Sequence, residues 1–196
     1  MTQAWLNRIG TAVPPHDIHA EFVDFGRTTA LDGRTAALFD RMVALADIER
    51  RYAIFAPGPK PRDHVLDSEG FYRRGAFPTT AARMARYEPA ALALAGQAIA
   101  ALNIANERSA ITHLIVASCT GFTAPGLDFQ IMRRAGLRDS VERTIVGFMG
   151  CFAAVNALRL ASHIVRSEPR AKVLVVNVEL SSLHLQEDWQ IGRAHV

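Results

Sequence analysis

The sequence predicts an α/β protein built on a mostly parallel sheet, and three observations carry that prediction. Residues 111–118 form an almost unbroken apolar run, the pattern of a strand buried on both faces of a parallel sheet. Two further segments, 141–146 and the largely apolar 172–180, read as strands and follow at intervals long enough for one helix each. Both intervals carry a helical pattern. One covers 127–135, after the turn residues Thr120, Gly121, Pro125 and Gly126; the other covers 151–166, after Gly147 and Gly150.

The elements before this core are read in the same way. Residues 6–13 read as a first strand, ended by Pro14 and Pro15. Asp32 and Gly33 open a helix whose apolar face is Ala36, Leu38, Phe39, Met42, Val43 and Leu45, and residues 48–52 close it. From 53 to 80 the chain is punctuated by Pro57, Gly58, Pro59, Pro61, Gly70, Gly75 and Pro78, and is expected to be a surface excursion of one domain. Thr79 or Thr80 can cap the next helix from about 81. Pro89 is either a kink in it or the first residue of a second helix reaching about 102. No internal repeat or low-complexity segment is visible.

The chemistry concentrates at Thr144-Ile145-Val146-Gly147-Phe148-Met149-Gly150-Cys151-Phe152-Ala153-Ala154. In a helix over 151–166, Asn156, Arg159, His163 and Arg166 fall at steps of three and four, forming one narrow polar stripe. The rest is nearly all apolar or small, which predicts a helix buried on most of its circumference and lying between two sheets. Cys151 sits at the first turn, where unpaired N–H groups and the helix dipole favour negative charge, and a thiolate is the nucleophilic form of cysteine. Gly150 leaves room beside it for a substrate. On the residues alone, an inert buried thiol remains the other reading.

Composition bounds the rest. With 196 residues, 49% hydrophobic and 21% charged, the chain can bury a core and has the balance of a globular protein. No apolar run spans a bilayer, and residues 1–8 lack the pattern of a secretory signal. Two cysteines then predict a cytoplasmic protein without a structural disulfide. The net charge of +3, mostly arginine, suits an anionic ligand but is too diffuse for nucleic acid. A metal site is not expected, because Cys119 and Cys151 have no paired ligands nearby. Gly147-Phe148-Met149-Gly150 lacks dinucleotide-binding spacing.

Several segments together resemble the type III polyketide synthases, the chalcone and stilbene synthase family. They are Thr112-His113-Leu114-Ile115-Val116 with Thr120-Gly121 and Pro125-Gly126, Gly150-Cys151-Phe152-Ala153-Ala154, and Lys172-Val173-Leu174-Val175-Val176 with Glu179. Ile9-Gly10-Thr11-Ala12-Val13-Pro14 and Ile48-Glu49-Arg50-Arg51-Tyr52 match in order and spacing. The resemblance covers residues 5 to about 188 and implies a thiolase-like fold, here its N-terminal half, as a single domain over 1–190. It implies that Cys151 takes an acyl group from a starter acyl-CoA, and that decarboxylated malonyl-CoA then condenses with it. It also implies no bound cofactor, with acyl-CoA and malonyl-CoA as substrates.

The family's histidine and asparagine belong to the half this chain lacks, so the chain is expected to be inactive alone. His113, His163 and His184 are not their equivalents. Residues 191–196 are expected to be an adapter-derived artefact. By carry-over, Arg41 matches a CoA-phosphate ligand, although the two lysines that accompany it in plant members are Leu38 and Leu45 here. Cys119, Thr120, Ser181 and His184 match positions lining the substrate cavity. A homodimer is implied, without the cross-subunit methionine that Ala124 replaces. Two alternatives stay open: a ketoacyl-carrier-protein synthase III-like half, and a non-catalytic thiolase-like binding domain.

Overall fold

The structure is a computed structural model that describes residues 3–29, 32–59 and 64–187. The expected artefact at 191–196 lies outside the described residues. The chain divides into two compact units. One comprises Met1–Ala12 and Met84–Glu179, the other Val13–Arg83 and Leu180–Val196.

The first unit is organised on a three-stranded parallel sheet. Its strands are β3 (His113–Ala117), β4 (Glu142–Val146) and β5 (Val173–Asn177), in the order β4-β3-β5. Every residue of the central strand β3 is buried, as its apolar run predicts. Ala117 is paired with Val146 on one side and Asn177 on the other, so the three strands end at one level. The crossovers are α4 (Leu127–Ala135) and α5 (Phe152–Ser167). Gly136 stops α4 at φ 66, where its N–H reaches back to the carbonyl of Arg133.

Helix α5 packs on the sheet through two small residues one turn apart. Ala153 and Ala157 are buried against Ile115 and Ala117, and Leu160, Ile164, Val173 and Val175 close the cluster. Short side chains let the helix backbone approach the strands. The expectation of a helix enclosed on most sides is overturned. Phe152, Val155 and Leu158 are 54%, 43% and 50% exposed, because the described residues place a sheet against one face of α5.

Residues 6–13 are not a strand. They run instead along α3 (Thr80–Ala101). Arg8 donates to the carbonyls of Leu102 (3.3 Å) and Asn103 (2.8 Å) and pairs with Glu107 at 2.6 Å. Gly10 comes so close to α3 that a Cβ there would sit 2.4 Å from the carbonyl oxygen of Ala98. The backbone is thus held by a helix end, and Leu6, Ile9 and Val13 stay exposed. Helix α3 is one continuous helix with Pro89 inside it, capped by the Thr79 hydroxyl, which accepts from Ala82 N–H.

The second unit holds a two-residue antiparallel pairing, β1 (His16–Asp17) with β2 (Tyr52–Ala53), and two helices, α1 (His19–Thr29) and α2 (Gly33–Ala46). Asp32 caps α2 through Thr35 N–H, as the Asp-Gly signal predicts. Of the apolar face expected on α2 only Phe39 is buried, its ring filling the space where Gly26 has no Cβ; Leu38, Met42 and Leu45 are exposed. Helix α1 was not expected.

The described residues 54–59 and 64–79 are irregular, as expected, but they are not a surface excursion. Ala53, Phe55, Leu66 and Tyr72 form this unit's core with Ile18 and Phe25. Fully buried Asp67 organises the turn by accepting from the N–H groups of Glu69, Phe71 and Tyr72. Aromatic packing and a carboxylate-centred turn replace regular structure here.

Two predictions follow from this packing. Burial pushes the Tyr72 phenol up to about 12 from 10.0, with Asp67 adding to the shift and Arg83 opposing it. Its hydroxyl also donates to the carbonyl of Ser182 at 2.7 Å. The folded state therefore holds this proton more tightly than the unfolded chain. The resulting stability is complete below pH 10.0 and is lost as pH rises through about 12. Near-ultraviolet absorbance should show two late-titrating tyrosines, Tyr72 and Tyr87, with the ionisation of Tyr72 coinciding with loss of stability. In the first unit, a Cβ at Gly121 would lie 2.6 Å from the buried ring of Tyr87 and 2.9 Å from Met84 Sδ. Gly121→Ala should destabilise by about 1–3 kcal/mol in denaturant unfolding, since overpacking forces the ring or the turn to move.

Candidate active site

The equal ending of the three strands brings three loops together at their carboxyl ends. Residues 118–121 follow β3, 147–151 follow β4, and 178–179 follow β5. In open parallel sheets this is where ligands bind.

The loop after β4 is tightly shaped. Phe148 and Gly150 both adopt φ 58, in the left-handed region. For phenylalanine that conformation is unfavourable by about 1 kcal/mol or more, and such residues gather at functional sites. The ring of Phe148 is 86% exposed and lies 6.4 Å from that of Phe122. Gly150 has open space where a Cβ would stand, so its backbone, not crowding, requires glycine.

Cys151 is the N-cap of α5 and is exposed. The first turn closes behind it, with Ala153 N–H donating to the Gly150 carbonyl at 3.0 Å. An ordinary N-cap residue is extended and spends its side chain on the helix's free N–H groups. Cys151 has φ −60 and ψ −18, and its side chain makes no capping bond. Its Sγ is therefore not consumed by the helix, while it stays beside the helix's positive end. An inert buried thiol does not fit this exposure.

Cys119 and Thr120 are brought to the same place. Cys119 packs against the Ala153 and Ala157 cluster. Its Sγ accepts from Met149 N–H at 3.3 Å and donates to the Gly150 carbonyl at 3.4 Å. Thr120 is buried and donates its hydroxyl to Glu179 Oε2, while Cys119 N–H donates to Glu179 Oε1 at 2.6 Å. Glu179 thus ties the β3 loop to the end of β5. Sequence reading gave it no role, although a carboxylate directly after an apolar strand was a visible signal. Ser118 was also missed. Its hydroxyl accepts from Tyr87 at 2.7 Å, and burial raises the Tyr87 phenol above its ordinary value.

Arg41, Ser181 and His184 belong to the other unit. Arg41 is exposed on α2. Ser181 and His184 are exposed on the 3₁₀ turn Ser181–His184. Arg83 holds this turn by donating to the carbonyls of Leu183 (2.6 Å) and Leu185 (2.7 Å). Among the described residues no group of three or more histidine, cysteine, aspartate or glutamate side chains could hold a metal. No helix among them is long and apolar enough to cross a membrane.

The family model for chalcone and stilbene synthases, N-terminal domain, matches residues 1–189. Bisdemethoxycurcumin synthase of Oryza sativa subsp. japonica is 34% identical over 182 residues, covering 90% of this chain and 44% of its own length. The alpha-pyrone synthesis polyketide synthase-like Pks18 of Mycobacterium tuberculosis is 49% identical over 71 residues, covering 36% of this chain and 18% of its own. The chain thus spans less than half the length of these curated relatives.

Among solved structures, the C-terminal type III polyketide synthase domain of Steely1 from Dictyostelium aligns over 100% of this chain and 52% of its own, with TM-score 0.81 and 24% identity. CsyB complexed with CoA-SH aligns over 90% of this chain and 46% of its own, with TM-score 0.69 and 24% identity. These likenesses establish the thiolase-like fold of the type III polyketide synthases. The chain belongs to the chalcone and stilbene synthase family and lies within that family's N-terminal domain.

Proposed function

We propose that this chain supplies the nucleophile of a type III polyketide synthase. The observation that carries the reading is an exposed Cys151 at the start of α5, its Sγ unused by the helix cap. The thiolate attacks the carbonyl of a starter acyl-CoA, and CoA leaves as its thiolate. Malonyl-CoA then loses carbon dioxide, and its enolate carbon attacks the held thioester. The cysteine thiolate departs, free to accept the next acyl group. A thiolate suits both halves of this cycle, being a strong nucleophile and a good leaving group.

The enolate and tetrahedral oxyanions need fixed hydrogen-bond donors. Among the described residues none has a side chain bonded to Cys151. The chain alone is thus proposed to be inactive in condensation, with those donors on the rest of a homodimeric enzyme. Arg41 offers an exposed guanidinium for a CoA phosphate. Cys119, Thr120, Ser181 and His184 are proposed as cavity residues. Two free thiols, one of them the nucleophile, suit a reducing cytoplasm.

The test is mass spectrometry of the whole protein after incubation with a fatty acyl-CoA. A thioester adduct on Cys151 is expected, absent from Cys151→Ala. Neither form of this chain alone should release a malonyl-CoA-dependent product, because the oxyanion donors that condensation needs lie elsewhere. Acylation at another residue, or no adduct, would remove the reading.

A further inference from the structure

The turn that presents Cys151 is braced from outside by a second thiol. Two left-handed residues, Phe148 and Gly150, flank Met149, and such a turn is not a low-energy choice for the chain by itself. Cys119 Sγ spans it. One side of the sulfur takes the Met149 N–H at 3.3 Å; on the other, its S–H points to the Gly150 carbonyl at 3.4 Å. That carbonyl is also the acceptor that closes the first turn of α5 through Ala153 N–H.

Cys119 is itself anchored. Its backbone N–H is held by Glu179, and its side chain packs against the cluster in which Ala153 and Ala157 of α5 meet Ile115 and Ala117 of β3. A continuous chain of contacts therefore runs from the end of β5, through Glu179 and Cys119, to the peptide preceding the nucleophile.

We propose that Cys119 is a positioning residue, whose thiol bridges Met149 N–H and the Gly150 carbonyl and so fixes the turn that aims Cys151 at its acyl donor. This rests on Cys151 being the acyl acceptor. The role asks for a side chain that both donates and accepts at this depth. A thiol does so weakly and a hydroxyl more strongly, whereas a methyl group does neither. Serine is therefore a competent replacement and alanine is not. Misplacing a nucleophile by a fraction of the reaction distance lowers rate without removing binding.

Three forms of the whole protein test this: the parent, Cys119→Ala and Cys119→Ser. Two rates are read at residue 151 by peptide mass spectrometry: acylation by a fatty acyl-CoA, and alkylation by iodoacetamide. Cys119→Ala should acylate about ten-fold more slowly at saturating acyl-CoA, with the half-saturating concentration unchanged. Its alkylation should slow several-fold, and Cys119→Ser should restore both rates to within about two-fold. A melting temperature for each form separates positioning from loss of fold. Parent-like rates in Cys119→Ala, or equal impairment in Cys119→Ser, would overturn the proposal. If the parent takes no acyl group, the enzymatic reading fails instead, and the alkylation rates still judge the brace.

Discussion

The site depends on the register of one strand. β3 is hydrogen-bonded on both sides, with His113 opposite Glu142 and Val173 at one end and Ala117 opposite Val146 and Asn177 at the other. Parallel pairing without stagger delivers three chain segments to one edge at one height. A slip of one residue would turn each side chain to the opposite face and separate the loops by a full residue's rise. Because β3 is buried throughout, that slip would carry apolar side chains out of their packing. The register is fixed by burial, and the proximity of Cys119, Glu179 and the Cys151 turn is its consequence.

Helix α5 converts that register into the placement of one residue. Its contact with the sheet is made by alanines at 153 and 157, so the helix axis is set by backbone proximity more than by interlocking long side chains. The Gly150 carbonyl that closes the first turn of the helix also accepts from Cys119 Sγ, so the helix cannot slide along the sheet without disturbing the β3 loop. Cys151 sits one residue before the helix, on backbone still shaped by the turn. Its position accordingly answers to both the sheet and the loop.

Much of this core was legible in the sequence because apolar periodicity reports burial directly. The run over 111–118, the Pro125-Gly126 punctuation before α4, and the abrupt change from strand to helix at Cys151 each state a local preference that packing agrees with. The misreadings came where polarity does not specify the partner. Residues 6–13 have the composition of a strand, but Arg8 and Gly10 fasten them to the end of α3. The stretch 53–80 has the composition of a loop, but Asp67 satisfies its backbone from within and frees Tyr72 and Leu66 to fill a core. Helix α5 was read as enclosed because its apolar circumference was visible, whereas among the described residues Phe152 and Leu158 stay exposed. Cys119 and Glu179 were visible as residue types, but their hydrogen bonds join positions 119 and 179, and no local pattern encodes that pairing.

The arrangement also explains why the Cys151 sulfur is left unused by the helix end. A helix start has several N–H groups lacking partners, and the usual remedy is a capping side chain drawn onto them. Had Cys151 been extended, its sulfur would have competed for that duty. Held in helical geometry by the left-handed Gly150 before it, the residue leaves the first turn to be closed by the Gly150 carbonyl. The left-handed glycine therefore does two things: it turns the chain out of β4, and it releases the sulfur from the helix. A non-glycine residue there would meet no steric neighbour and would still be strained, because the requirement lies in φ alone.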